Sequence, residues 1–317
     1  MNYLMAKEVG ILRYVWRRLA WRGMKLLPGA ECALTLPNGV VLMSPRTSYC
    51  GSDVFVTGAA VDWGTEWILA AYLHRRPKGV FVDVGANIGY YSALLSPYFN
   101  KGYAFDPDPR NQVALAGLSV MYPHVKVVSK AVCDHNGVEE FVLGDVSDVS
   151  SLGRGELAGA KVSCVTLSSF FQDHLDAVVA VKIDIEGYDV TALRGAGEMI
   201  LRCRPLVVTE FGLESGKPNS PGALVDLAHT LRMDLYGIVR RDPSFWSCDF
   251  KLGPISPVDL VSEKIKMLIM VPQEDDVFRT VLQMLPSRWS RRILGGRAIS
   301  RITAACLREV GAAKVAK

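Results

Sequence analysis

The chain has 317 residues, half of them hydrophobic, enough to bury a full core as one large domain or a domain with appendages. Its seven cysteines (32, 50, 133, 164, 203, 248 and 306) are scattered and form no C-x-x-C pair, and its five histidines (74, 124, 135, 174 and 229) show no metal-ligand spacing. That pattern speaks against a zinc site and a disulfide framework, and for a reducing, cytoplasmic setting.

The net charge of +4 hides a division: residues 1–28 carry +5, residues 286–317 carry +7, and residues 29–285 carry −8. An acidic body is therefore flanked by basic ends. In the first segment Leu4, Ile11, Leu12, Val15, Trp16 and Leu19 recur at helical spacing, with Arg13, Arg17, Arg18 and Arg22 beside them. Two readings fit: a helix lying on an anionic membrane surface, or a helix docked on the protein's own body with solvated arginines. The basic tail 286–317 carries the same two readings, and Gly295-Gly296 would interrupt a helix there. Nucleic acid would also suit basic ends, but no other feature points to it, and no nucleic-acid partner is expected. No cleavable signal is expected either, because Arg13 breaks the apolar stretch after Lys7. No run approaches the roughly 18 apolar residues of a membrane span.

Residues 29–60 read as a small β segment, with Val40-Val-Leu-Met43 and Val54-Phe-Val56 as short strands. The main domain is expected over 61–285. Trp63 to Leu73 predicts a helix capped by Thr65 or Asp62. Gly79-Val-Phe-Val-Asp-Val-Gly-Ala-Asn-Ile-Gly89 then reads as a buried strand and a tight turn, and a helix starts at Tyr90. Such a turn presents unpaired N–H groups to a ligand. The dinucleotide fingerprint would need glycine where Asn87 and Tyr90 stand, and no phosphate loop ending Gly-Lys-Ser/Thr is present.

Further strands follow: Gly102 to Asp106, Val125 to Asp134, Ala177 to Asp184 and Pro205 to Glu210, each ending on a carboxylate. Asp106 lies 21 residues after Gly85, where an acid can take both ribose hydroxyls of an adenosine cofactor. Between the third and fourth strands an inserted hairpin is predicted, Glu139 to Leu143 and Val162 to Leu167, joined by a polar loop from Gly144 to Gly159. That loop could wall an acceptor pocket. Tyr236 to Val239 and Lys266 to Val271 supply the last strands. The fold class is α/β, a Rossmann-like sheet of about seven mostly parallel strands with ligands at the strands' carboxyl edge.

Phe81-Val-Asp-Val-Gly-Ala-Asn-Ile-Gly-Tyr-Tyr-Ser92, Ala104-Phe-Asp-Pro107, Ala131-Val-Cys-Asp-His-Asn-Gly137, Lys182-Ile-Asp-Ile-Glu-Gly187 and Arg204-Pro-Leu-Val-Val-Thr-Glu210 occur in order. As an ordered set over about residues 60–272 they resemble the FkbM family of S-adenosylmethionine-dependent methyltransferases. Departures are Asp106, where many members carry Glu, and Tyr188-Asp189, where a small residue followed by Glu is more usual.

The resemblance implies a class I methyltransferase sheet with an antiparallel closing strand, S-adenosylmethionine as cofactor, and O-methylation of a sugar, glycolipid or natural-product hydroxyl. Asp83, Gly85, Asn87 and Gly89 are then expected around the methionine part of the cofactor, Asp106 at the ribose and Asp134 near the adenine. Asp184, Glu186 and Glu210 are candidates for the base or for orienting the acceptor, with His135 a weaker one. The same three carboxylates offer oxygen ligands, though no spacing requires a metal. A nucleotide-dependent oxidoreductase and a non-catalytic membrane-surface module remain the alternatives.

Overall fold

The computed structural model describes residues 3–142, 151–152, 160–173, 177–211, 221–245, 247–285 and 288–292. Two helices open the chain, Tyr3–Val9 (α1) and Ile11–Lys25 (α2), because Gly10 between them takes φ 95° and breaks the run. A hairpin, Glu31–Thr35 (β1) with Val41–Pro45 (β2), precedes a helix at Tyr49–Thr57 (α3). That helix corrects the strand expected at Val54-Phe-Val56. Ser48 caps it by accepting the Gly51 N–H at 3.0 Å, and Gly58 ends it in the left-handed conformation. With Val54 and Val56 buried, these caps override β propensity.

Thr65–Arg75 (α4) is capped by neither Thr65 nor Asp62. Glu66 turns back instead and accepts the N–H groups of Asp62 and Gly64 at 2.9 and 3.1 Å. The core follows as Val80–Val84 (β3), Tyr90–Leu95 (α5), Lys101–Phe105 (β4), Gln112–Met121 (α6) and Val125–Val128 (β5). Next come Ala131–Val132 (β6), Gly137–Val142 (β7), Ser151–Leu152 (β8), Ala160–Val165 (β9) and Leu167–Phe170 (α7). Val178–Ile183 (β10), Asp189–Gly195 (α8), Gly197–Cys203 (α9), Leu206–Glu210 (β11) and Pro221–Thr230 (α10) continue it. The described chain closes with Met233–Ser244 (β12), Ser247–Pro254 (β13), Asp259–Ser262 (α11), Lys264–Pro272 (β14), Asp276–Met284 (α12) and Arg288–Arg292 (β15).

The main sheet runs β5-β4-β3-β10-β11-β14-β12-β13-β15. Its first five strands are mutually parallel and β14 adds antiparallel to β11. The first seven of these strands, counted by their order along the chain, stand 3-2-1-4-5-7-6, which is the class I methyltransferase sheet. It has nine strands where about seven were expected, since β13 and β15 extend the antiparallel side. β15 falls inside the segment expected as a basic tail; residues 293–317 lie outside the described residues, as does most of the Gly144–Gly159 loop.

The expected strand Val125 to Asp134 is two strands. β5 ends at Val128, and β6 leaves the main sheet to pair in parallel with β9, in a four-stranded sheet with β7 and β8. The expected hairpin is the β7–β9 pair of that sheet. Along β3 the strand alternation divides the core: Phe81 packs with α4, α5 and α6, and Val80, Val82 and Val84 pack with α8, α9 and α10.

Candidate active site

Strand order reverses between β3 and β10, and ligands in open α/β sheets bind at that point, beyond the carboxyl ends. Gly85 and Asp184 follow these two strands. A Cβ on Gly85 would lie 1.9 Å from the Asp184 carbonyl oxygen, and Gly85 takes φ 73°, so only glycine fits. Asn87 also has positive φ, at 53°, and its side chain accepts the Ile88 N–H at 2.8 Å. Gly89 starts α5 at φ 81°, where a Cβ would meet Leu118 at 2.5 Å. Beside this turn opens a cavity of about 310 Å³, at the low end of small-molecule pockets. Gly85, Asn87 and Asp106 line one part of it, and Asp184, Glu186 and Glu210 another.

Asp106 is buried and accepts the Asn87 N–H at 2.8 Å, the Asp108 N–H at 2.9 Å and the Asn111 amide at 3.1 Å. Burial raises its pKa to about 6 against those hydrogen bonds. A carboxylate offers about four acceptor positions, so room for a hydroxyl donor remains. Asp83, Gly89 and Asp134 do not line the cavity. Asp83 is fully buried beneath the turn, where it accepts the Ser92 N–H and hydroxyl at 3.0 and 2.7 Å. Its other oxygen has no hydrogen-bond donor among the described residues, and Lys182 Nζ stands 3.9 Å from it. Asp134 is carried off the main sheet edge with β6, and its carboxylate meets His135 Nδ1 at 3.0 Å. Lys130, Ala131 and Val132 take up that wall instead.

Asp184, Glu186 and Glu210 converge, with one oxygen from each within 4.8 Å of the others. Glu186 sits at φ 54°. Asp189 holds that turn, accepting the Ile185 and Gly187 N–H groups at 3.4 and 3.2 Å. Glu210 is pushed up to about 9, first by burial and then by Asp184, Glu186 and Asp189, and it is hydrogen-bonded to Asp184. At neutral pH it therefore carries a proton. Lys182, on β10, reaches Asp184 at 3.2 Å and donates to the Gly85 carbonyl at 3.1 Å. Burial opposes its charge, but Asp184, Asp83 and Asp62 raise its pKa above the usual lysine value.

Sequence reasoning missed the opposite wall. Lys266 on β14 pairs with Asp62 at 2.8 Å, and Tyr91 donates to the other Asp62 oxygen at 2.6 Å. Glu66 beneath them is raised to about 8 by burial and by Asp62. The available signal was Lys266 itself, a charge inside the apolar run Ile265 to Val271. Asp62 precedes a helix and gave none. Among the described residues, the donor clusters able to hold a metal are the acidic trio and a second group, Cys133 after β6, His135 before β7 and Cys164 on β9, brought together by strand pairing and so invisible as spacing.

Residues 83–236 match the family model described as the methyltransferase FkbM domain. This span is an FkbM methyltransferase domain. It is S-adenosylmethionine-dependent by family, and all nine expected site residues fall inside it. No curated protein matches the chain in sequence. Among solved structures, the FkbM methyltransferase of Methylobacillus flagellatus is similar at 16% identity and TM-score 0.40, over 83% of this chain and 60% of that one. The tRNA (uracil-54, C5)-methyltransferase of Pyrococcus abyssi, solved with S-adenosyl-L-homocysteine, is similar at 11% identity and TM-score 0.39, over 77% and 45%. An S-adenosylmethionine-dependent O-methyltransferase of Thermotoga maritima follows at 12% and 0.34, over 66% and 64%. These likenesses are weak; the strand order carries the fold of the FkbM domain.

Proposed function

We propose that this FkbM domain transfers a methyl group from S-adenosylmethionine to a hydroxyl of a sugar, glycolipid or natural-product acceptor. The observation that carries the reading is a cavity with carboxylates on both sides of the Gly85 turn. Asp106 suits a ribose diol, and the Asp184, Glu186 and Glu210 edge suits a cationic sulfonium. A pyrophosphate would face those acids with Lys182 and Lys266 already engaged by Asp184 and Asp62, which disfavours a dinucleotide.

When bound there, S-adenosylmethionine supplies an electrophilic methyl. Asp106 and the glycine turn beside it would hold it, chiefly a positioning contribution. The acceptor hydroxyl needs help to lose its proton. The acidic trio provides the receiving carboxylate, and protonated Glu210 donates to Asp184 and keeps like charges from accumulating. Lys182 fixes Asp184 and, through the Gly85 carbonyl, the turn.

Calorimetric titration of S-adenosylmethionine, S-adenosylhomocysteine and NADH into wild type and Asp106→Ala tests the cofactor. Binding of the two sulfur compounds alone, weakened about tenfold or more in Asp106→Ala, is expected from the lost hydrogen bond to a charged group. Binding of NADH in their place would overturn the reading. Acceptor screening then compares glycans and glycolipids with RNA; methylation of RNA alone would reject a hydroxyl of the proposed classes.

A further inference from the structure

We propose that the outward face of α1 and α2 docks on the surface of an anionic lipid bilayer. The structure separates the two faces of this helical pair. The inner face is fastened to the body: Ala6 and Val9 are buried, and Lys7 pairs with Asp242 at 2.7 Å. Tyr14 and Trp21 are buried too, with the Trp21 ring tilted against Phe55 of α3 at 5.7 Å between centroids. Arg18 bonds Ser52 and Asp53 of the same helix at 2.6 and 3.0 Å, and Arg17 donates to the Phe55 carbonyl.

The outer face is the apolar stripe itself. Leu12 is 80% exposed, Trp16 63%, Leu19 58% and Leu26 88%, and Leu4, Val15 and Leu27 are exposed beside them. At the helical repeat, Leu12, Val15, Trp16 and Leu19 fall within an arc about 100° wide, opposite Tyr14 and Trp21. Arg22 flanks that arc on one edge and Arg13 on the other. A helix docked on its own body should turn polar residues outward; this one is apolar on both faces, with basic residues between them.

Charge selects the occupant. Lys7 and Arg18 are paired with the body, but Arg22 and Lys25 stay exposed on a segment that carries +5, and residues 29–285 carry −8, so a negative surface attracts this face and repels most of the remainder. Trp16 and the leucines suit the headgroup–acyl boundary, where an aromatic ring and aliphatic chains bury while guanidinium groups meet phosphates. Insertion across the bilayer is not implied: among the described residues no helix is long and apolar enough to cross a membrane. The docked face adjoins the cavity through α3, which presents Ser52 and Phe55 to α2 while Cys50 and Asp53 line the cavity. Docking does not depend on the methyltransferase reading, because it is measured without cofactor.

The test is co-sedimentation of the full chain with phosphatidylcholine vesicles, with and without phosphatidylglycerol. Binding is expected on the anionic vesicles and weakens as salt rises. Trp16→Ser combined with Leu19→Ser should cut it about tenfold or more. Arg22→Gln and Lys25→Gln should each cut it about fivefold. Circular dichroism melts confirm that the variants fold. No binding of the full chain to anionic vesicles, or binding indifferent to the Trp16 and Leu19 substitutions, would overturn the proposal. So would a dimer in size-exclusion chromatography that those substitutions dissolve, because the face would then belong to a second copy.

Discussion

The cavity wall and the N-terminal helix pair invert the ordinary arrangement of a folded protein in opposite directions. Around the cavity, Lys182, Asp83, Asp62 and Glu66 are charged or titratable groups taken out of water. On α2, Leu12, Trp16 and Leu19 are apolar groups left in water. Each inversion works against folding, and each marks a surface shaped for something other than folding. The difference lies in compensation. Every buried cation at the cavity faces a carboxylate inside the protein, whereas the apolar stripe of α2 has no inner partner because Tyr14 and Trp21 already fill the docked side.

The sharpest way to break the first half of that comparison is to remove a buried cation. Lys182→Met leaves Asp83 and Asp184 uncompensated, and we expect a loss of about 3–5 kcal/mol in urea unfolding. Unchanged stability would mean that the pairing with Asp184 at 3.2 Å does not carry the wall. A second effect is pH-dependent. The Glu210 pKa is raised from 4.5 to about 9, so its contribution is fully present below about 4.5 and is lost as pH rises through about 9. Wild-type stability should therefore fall across that window. Glu210→Gln cannot release a proton and should be the more stable protein near pH 9, by about 1–2 kcal/mol after allowance for partial exposure. Part of the decline persists in the variant, because Glu66, raised to about 8, contributes in the same direction. The same variant probes chemistry: if Glu210 acts as a protonated donor to Asp184, Gln retains most methyl transfer, whereas a drop of about a hundredfold or more would make Glu210 the base.

What the sequence made legible was what depends on local order along the chain. Strand, turn and helix around Gly85, and the acids ending β4, β10 and β11, follow from short apolar runs and their punctuation. Asp134 looked equivalent to those acids because the run Val125 to Asp134 is continuous in hydrophobicity. Only pairing partners show that β6 belongs to another sheet, and pairing is a long-range property. Asp62 and Lys266 meet across 204 positions of sequence, so their contact left no periodic trace. Val54-Phe-Val56 had strand composition, but Ser48 and Gly58 set a helix there. On α2 the periodicity revealed a stripe without revealing which side of the helix the body would occupy.

That last ambiguity gives the smallest effect and the cleanest contrast. Two tryptophans sit five positions apart on one helix, one turned inward and one outward. Trp21→Ala opens a cavity against Phe55 and should cost about 3–5 kcal/mol in urea unfolding. Trp16→Ala removes a side chain that touches water and should leave the midpoint within about 0.5 kcal/mol of wild type. Comparable losses at both positions would mean that Trp16 is covered in solution, by the chain's own residues or by a second copy, and the lipid-facing assignment would fail. With stability spared at Trp16 and vesicle binding lost, the outward stripe contributes nothing to folding, and its apolar character is accounted for by the bilayer it meets.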